Sequence, residues 1–336
     1  ILFSASCLAN VIGLNISSAF KSAIAVYIVI PIILIPQMIL SGVLFSFDKL
    51  NEAISSNEEV PLVADMMASR WAIEGLAVKQ FKDNNYEKPV YPYEKIISNA
   101  NYRSTFWVIE IRNRINYIIQ NWDTEDNEKL KNIEQNKRII YIELSGEAIF
   151  RETEGFAYLE DIKEGTITKE GLENIRTNLI DISRYYQDVY NDAVQGYDDL
   201  VYRLEKEAHD SLDLNVVQNQ YFNESLSDLV RNVNSKVRIT AAGDHLVKKM
   251  DPIYTDPDLS EGLLDYRTHF YAPTKNLLGN LVDTYKFNVL VLWVMTILFY
   301  LTLYLNIPHF LVSSLTDIRL PNIFKPFRRN RAEESS

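Results

Sequence analysis

Two long stretches of this chain are almost free of charge, and a strongly charged block lies between them. From Ile1 to Phe47 the only charged residue is Lys21, and from Phe287 to Thr316 there is none. Between Asp48 and Asp283, 42 acidic residues stand against 27 basic ones, a larger excess than the −11 of the whole chain. Water solvates such a block, whereas uncharged runs of this length need burial or lipid. The partition predicts an acidic domain held outside a membrane between spanning helices.

Length sorts the candidate spans. A bilayer core about 30 Å thick takes roughly 20 apolar residues at about 1.5 Å each. Ser22 to Phe47 meets that length, and Phe287 to Leu305 nearly does before Pro308 stops it. Ile1 to Phe20 is diluted by Asn10, Asn15 and several serines, and polar residues in such a helix face other helices or a cavity. Basic residues flanking the spans set orientation. Arg319, Lys325, Arg328, Arg329 and Arg331 place the tail in the cytoplasm, Lys21 falls on the same side, and residues 48–285 lie outside. The chain opens on Ile1, inside an apolar run, so further sequence is expected upstream. Cys7, the single cysteine, cannot form an internal disulfide, and the outer block must rely on its own core.

The expected fold class is mainly α: three transmembrane helices, with a large extracytoplasmic helical bundle inserted before the last. The segments are two spans (1–47), an outer juxtamembrane and re-entrant stretch (48–98), the bundle (99–251), a return linker (252–285), the last span (286–307) and a basic tail (308–336). Apolar residues recur at steps of three and four along Leu172, Ile175, Leu179, Ile182, Tyr186, Val189, Ala193, Tyr197, Leu200 and Leu204, which predicts one long amphipathic helix. A second stripe runs Val217, Tyr221, Leu226, Leu229, Val233, Val237, capped by Asp213 or Asn215. A third covers about 102–122 with Phe106, Ile109, Asn113, Asn116 and Ile119 inward, and a fourth about 125–144 with Leu130, Ile133, Ile140 and Leu144 inward. Turns are expected at Pro89 and Pro92, few strands anywhere, and Tyr266, Phe270 and Tyr271 suit a water–lipid interface.

Signals of chemistry are sparse. The chain has no G-x-x-x-x-G-K-[ST] loop and no G-x-G-x-x-G. His209, His245, His269 and His309 have no ligand spacing, so no metal site and no catalytic residue is assigned. Pairs such as Glu58/Glu59 and Asp198/Asp199 read as solvated surface, and Asn223-Glu-Ser225 fits a glycosylation acceptor. Net acidity argues against nucleic acid as a partner.

The second apolar run carries more information. Pro31 and Pro36 each remove a backbone hydrogen bond within it, and the freed carbonyls need neighbouring helices or a wet cavity. The run closes on Leu40-Ser41-Gly42-Val43-Leu44-Phe45, and Ser69-Arg70-Trp71-Ala72-Ile73-Glu74-Gly75-Leu76 comes after it. Together with His269-Phe270-Tyr271-Ala272-Pro273 before the last run, these segments resemble the membrane half of the G-type (white-like) ATP-binding cassette transporters, of the ABC-2 permease class. The likeness is to bacterial members of the Bacteroides-like kind. It covers 1 to about 81 and about 266–325, and leaves the bundle unexplained.

The resemblance implies the permease portion of an exporter in the bacterial inner membrane. It also implies a second copy as dimer partner, contact with membrane lipid, and a periplasmic partner as one role for the bundle. A separate nucleotide-binding domain would bind ATP and magnesium, with no cofactor and no enzymatic residue in this chain. Carried over by the Ser41-Gly42 ending, Val43 and Leu44 form an aliphatic plug, while Ile35 and Met38 line a central cavity. Arg70, Trp71 and Glu74 belong to a re-entrant motif, and a local Arg70–Glu74 pair would explain the carboxylate. The alternative is a membrane-anchored receptor or adhesin whose outer domain binds a partner. A plain tether has no use for Pro31, Pro36 or the Ser41-Gly42 ending.

Overall fold

Helical periodicity governs most of the chain. The computed structural model describes residues 1–20, 22–44, 47, 59–151, 156–207, 214–257, 266–310 and 312. Lys21, Phe45, Glu58, His209, Asp213, the side chain of Asn215 and the basic tail from Arg319 onward lie outside them. The N-terminal part holds α1 (Leu2–Ala19) and α2 (Ala23–Ile39), then α3 (Leu62–Asp65) and α4 (Ala68–Lys82). The outer part holds α5 (Glu87–Asn101), a π-helical turn (Tyr102–Trp107), α6 (Val108–Gln120), α7 (Asn127–Phe150), α8 (Leu159–Glu164), α9 (Lys169–Glu207), α10 (Leu214–Tyr221) and α11 (Glu224–Val230). Two antiparallel hairpins come next, β1 (Ile239–Ala242) with β2 (His245–Lys248), and β3 (Thr274–Leu277) with β4 (Asn280–Asp283), before α12 (Thr284–Tyr304).

Two helices are long and apolar enough to cross a membrane, α1 and α12, and only 22% of each apolar window is buried. A core helix of a soluble protein would be mostly covered. The second run is not one helix: α2 stops at Ile39 after 17 residues, about 26 Å, and the chain turns at Gly42. The third span expected from the length of that run is therefore not established. Asn15, which weakens α1 as an apolar run, is buried against α12: its Nδ2 donates to the Phe299 carbonyl at 2.9 Å, and its Oδ1 accepts from Thr302 at 2.9 Å.

In the outer part, α9 is the 39-residue helix that the stripe from Leu172 predicts, about 58 Å long. Thr168 Oγ1 accepts from Gly171 N at its start, and Gly165, at φ 77°, ends the preceding α8. Leu172, Ile175, Leu179, Ile182 and Tyr186 are buried in the largest core, with α9 packed along α5, the π-helical turn and α6. Two carboxylates one turn apart on α7 pin its neighbours. Glu143 accepts from Trp107 Nε1 at 2.5 Å and Leu246 N at 2.6 Å, and buried Glu147 accepts from Tyr186 at 2.8 Å.

Three expectations fail locally, each for a visible reason. Pro89 and Pro92 make no turn: both lie inside α5, Pro89 in the first turn, where no helical N–H bond is lost, and Pro92 beyond it, where the bond to the Lys88 carbonyl is forgone. The stripe from Val217 to Val237 is broken at Phe222, and Asn223 caps α11 by accepting from Leu226 N at 3.0 Å. The inward face near 109 is rotated: Trp107, Val108, Ile111, Ile115 and Ile118 are buried, while Ile109 is 47% exposed. The π-helical turn just before α6 inserts its extra residue there and shifts the phase of the helix beyond it. Accordingly, Ile115→Ala should destabilise the protein by about 2–5 kcal/mol in denaturant unfolding. Ile109→Ala should change stability by less than about 0.5 kcal/mol, and equal costs would restore the unrotated face.

Candidate functional site

Arg70, Trp71 and Glu74 on α4 meet the start of α12 at a buried joint. Trp71 is buried with its Nε1 donating to the Asp65 carbonyl at 2.8 Å, and its ring packs against Tyr266 and Phe287 at centroid distances of 6.0 and 5.9 Å. On the same helix Glu74 is fully buried. A carboxylate in that position must be compensated by donors. Lys275 Nζ donates to its Oε1 at 2.9 Å, Asn288 Nδ2 donates to its Oε2 at 2.9 Å, and Arg70 approaches Oε2 at 3.5 Å. Arg70 also lies 3.6 Å from Asp65, so two cations and two carboxylates share one enclosure. The Arg70 guanidinium covers the Trp71 ring at 3.8 Å.

The sequence folds this way because β3 and β4 turn tightly just before α12. Leu278 and Gly279 have φ of 55° and 79°, the pair of positive values that a two-residue hairpin requires. That turn aims Lys275 inward, where it is fully buried and also donates to Thr268 at 3.2 Å. Asp283 caps α12 by accepting from Tyr285 N at 3.0 Å, and its second oxygen pairs with Lys82 of α4 at 2.6 Å. Gly75 lets α4 approach: a Cβ there would sit 2.6 Å from Ile1 and 3.3 Å from Asn288. Burial pushes the Glu74 carboxyl up, but Arg70, Lys275 and Asn288 together outweigh it and hold it below its ordinary value. Burial lowers the Lys275 ammonium to about 8, with Glu74 opposing the shift.

The α2 residues stand apart from this joint. Ile35, Met38, Val43 and Leu44 are exposed at 54, 58, 41 and 58%, and no residue of α2 is buried. Pro31 and Pro36 lie within the helix, which stays α-helical through both. Its end is tied to α4 by Ser69, whose Oγ donates to the Gln37 carbonyl at 2.5 Å and whose N–H donates to Gln37 Oε1 at 3.1 Å. Gly42, at φ 83°, serves twice, since a Cβ would also meet the Phe270 ring at 2.6 Å and Phe47 at 2.8 Å. Phe270 and Tyr271, expected at a water–lipid interface, are packed on each other at 4.1 Å inside the protein, with Tyr271 buried.

Sequence reading therefore finds Arg70, Trp71 and Glu74 and misses Asp65, Lys275 and Asn288. Asn288 leaves a faint trace as a polar residue at the start of an apolar run. Lys275, some 200 positions from Glu74, leaves none. A second feature is a cavity of about 540 Å³ under the bundle, whose lining includes Tyr102, Arg103, Tyr186, Lys248, Thr268 and His269. Compared with protein-family models, curated proteins and solved structures, the chain finds no match in any of the three.

Glu74→Gln leaves Arg70 and Lys275 buried with one carboxylate between them and should cost about 3–5 kcal/mol in thermal or denaturant unfolding. Adding Lys275→Met should recover part of that loss, with a coupling of about 0.5–3 kcal/mol. Strict additivity of the two changes would show that the pair does not interact.

Proposed function

We propose that this chain is the permease portion of an ATP-driven exporter of the G-type ATP-binding cassette class. In this reading it works as a dimer in a bacterial inner membrane, with residues 48–285 outside and the C-terminus inside. The observation that carries the reading is α2: an apolar, twice proline-bearing helix without one buried residue, tied to α4 at its end. A second copy facing that helix would cover it and enclose a pathway lined by Ile35 and Met38, with Val43 and Leu44 as the outer constriction. ATP and magnesium would act in a nucleotide-binding domain outside these 336 residues. Movement there would reach α2 through the Gln37–Ser69 tie, while the Glu74 joint keeps α4 and α12 together. The buried Asn15 between α1 and α12 supports helices that pack on one another in lipid, where interhelical hydrogen bonds fix position.

A second reading, a membrane-anchored receptor or adhesin, draws support from the cavity under the bundle, which offers charged groups of both signs and aromatic rings to a ligand or partner. Two measurements on the full-length protein in membranes separate them. In a Cys7→Ser background, Met38→Cys should form a disulfide-linked dimer under mild oxidation. Val43→Ala and Leu44→Ala should change transport and substrate-stimulated ATP hydrolysis. No cross-link together with no ATP hydrolysis would sink the transporter reading and leave the receptor.

A further inference from the structure

The base of the outer domain contains a buried chain of three oxygens that needs one extra proton to be consistent. The Tyr254 hydroxyl lies 3.1 Å from Glu87 Oε1 and also contacts Glu94 Oε2. Glu87 is 1% exposed and Tyr254 2%. A phenol has one proton and can donate to only one of the two carboxyls, and an ionised carboxylate has none to return. Both contacts are hydrogen bonds only if one carboxyl is protonated. Glu87 Oε2 is buried with no hydrogen-bond partner among the described residues.

We propose that Glu87, Tyr254 and Glu94 form a proton-binding site, in which one proton on Glu87 completes a Glu87 to Tyr254 to Glu94 chain and clamps α5 to the return segment. Glu87 donates to the phenol oxygen, and the phenol donates to the Glu94 carboxylate, each bond polarising the next. The clamp has neutral companions: Tyr91 donates to the Ile253 carbonyl at 2.7 Å and Asn99 to the Tyr254 carbonyl at 3.1 Å. The nearest cation, Arg231, stands 5.8 Å from the Tyr254 ring and is already bonded to Asp251 at 2.9 Å. Helix α4 faces the site with the uncharged Phe81 ring and, next to Tyr91, with Asp83. Asp256, bonded to Lys95, and Asp283 add negative charge beside Tyr91, and α9 contributes Tyr197. On the far side of the turn a His269 ring nitrogen meets the Pro252 carbonyl at 3.0 Å. Apart from Arg231, which Asp251 already engages, and the N-terminal turn of α5 on which Glu87 itself sits, the surroundings do not favour a second negative charge.

Burial, with Glu94 adding to it, pushes the Glu87 carboxyl up to about 9 from its ordinary 4.5. The folded protein thus holds this proton more tightly than the unfolded chain. The stabilisation is complete below about pH 4.5 and is lost progressively as pH climbs through about 9. Beyond that, the buried Glu87 carboxylate and the half-buried Glu94 repel across the tyrosine and the clamp opens.

Infrared spectroscopy of the full chain tests this. The expected result is a protonated-carboxyl stretch at about pH 7 that disappears near about pH 9 and is missing in Glu87→Gln. Thermal stability of the wild type should fall between about pH 4.5 and about pH 9, and Glu87→Gln, which keeps a donor but cannot titrate, should show a flatter profile. Should Glu87→Gln fail to fold, Glu94→Gln serves as the second variant and should move the titration of the band to lower pH. A wild-type spectrum in which no such band titrates, or variants that titrate like the wild type, would overturn the assignment.

Discussion

A carboxylate with no access to water, Glu74, sets the terms for everything near it. Its charge has to be matched within reach, and the donors come from three elements: Arg70 from its own helix, Lys275 from the hairpin and Asn288 from α12. Such an arrangement adds little net stability over an apolar one, because desolvation consumes most of the Coulombic gain. Its effect is geometric. Only one placement of α4, the β3–β4 hairpin and α12 satisfies the carboxylate, so these elements behave as a single block. The Lys82–Asp283 pair and the Trp71, Tyr266 and Phe287 rings reinforce it on either side. Helix α1 joins the block through Asn15, and α2 hangs from it by Gln37 and Ser69.

This hierarchy explains why the residues singled out in α2 and those in α4 differ so much in surroundings. Glu74 and Trp71 are packed on all sides and have little freedom. Ile35 and Met38 are a single helical turn apart and more than half exposed. In the proposed exporter, a packed block beside an uncovered, proline-bearing helix would divide support from moving part. It is equally the arrangement in which the uncovered part depends most on what surrounds the chain.

A physical line divides what the sequence makes legible from what it hides. Local periodicity is encoded every three to four residues, so α9 and most of the inward face of α7 can be read directly. The face of α6 cannot, since one additional residue in the Tyr102–Trp107 turn shifts the pattern without leaving a compositional mark. The break between α10 and α11 hides in a stripe that remains apolar across it, and only the capping role of Asn223 reveals it. At the site, Arg70 and Glu74 are one turn apart, so their pairing can be anticipated. Lys275 and Asn288 reach Glu74 across separations of 201 and 214 residues, and no local rule links positions so distant. The Glu87, Glu94 and Tyr254 cluster escapes sequence reading for the same reason: each residue looks like ordinary surface until the chain returns to it.

That return has a topological consequence. Helix α5 leads the chain outward, and the segment from Pro252 brings it back along the same helix, with Tyr91 touching Ile253 and Asn99 touching Tyr254. The excursion between them, α6 to β2, leaves and re-enters beside α5, and on its way its α9 packs along α5 and its α11 on α4. Seen from the Glu74 block, α6 to α8 form a closed loop whose length matters little, because ends already held together lose little further entropy when more chain is strung between them. Helices α6 to α8 can therefore be lengthened, shortened or exchanged over evolutionary time while the Glu74 block keeps its geometry, whereas α9 and α11, which pack on α5 and α4, cannot.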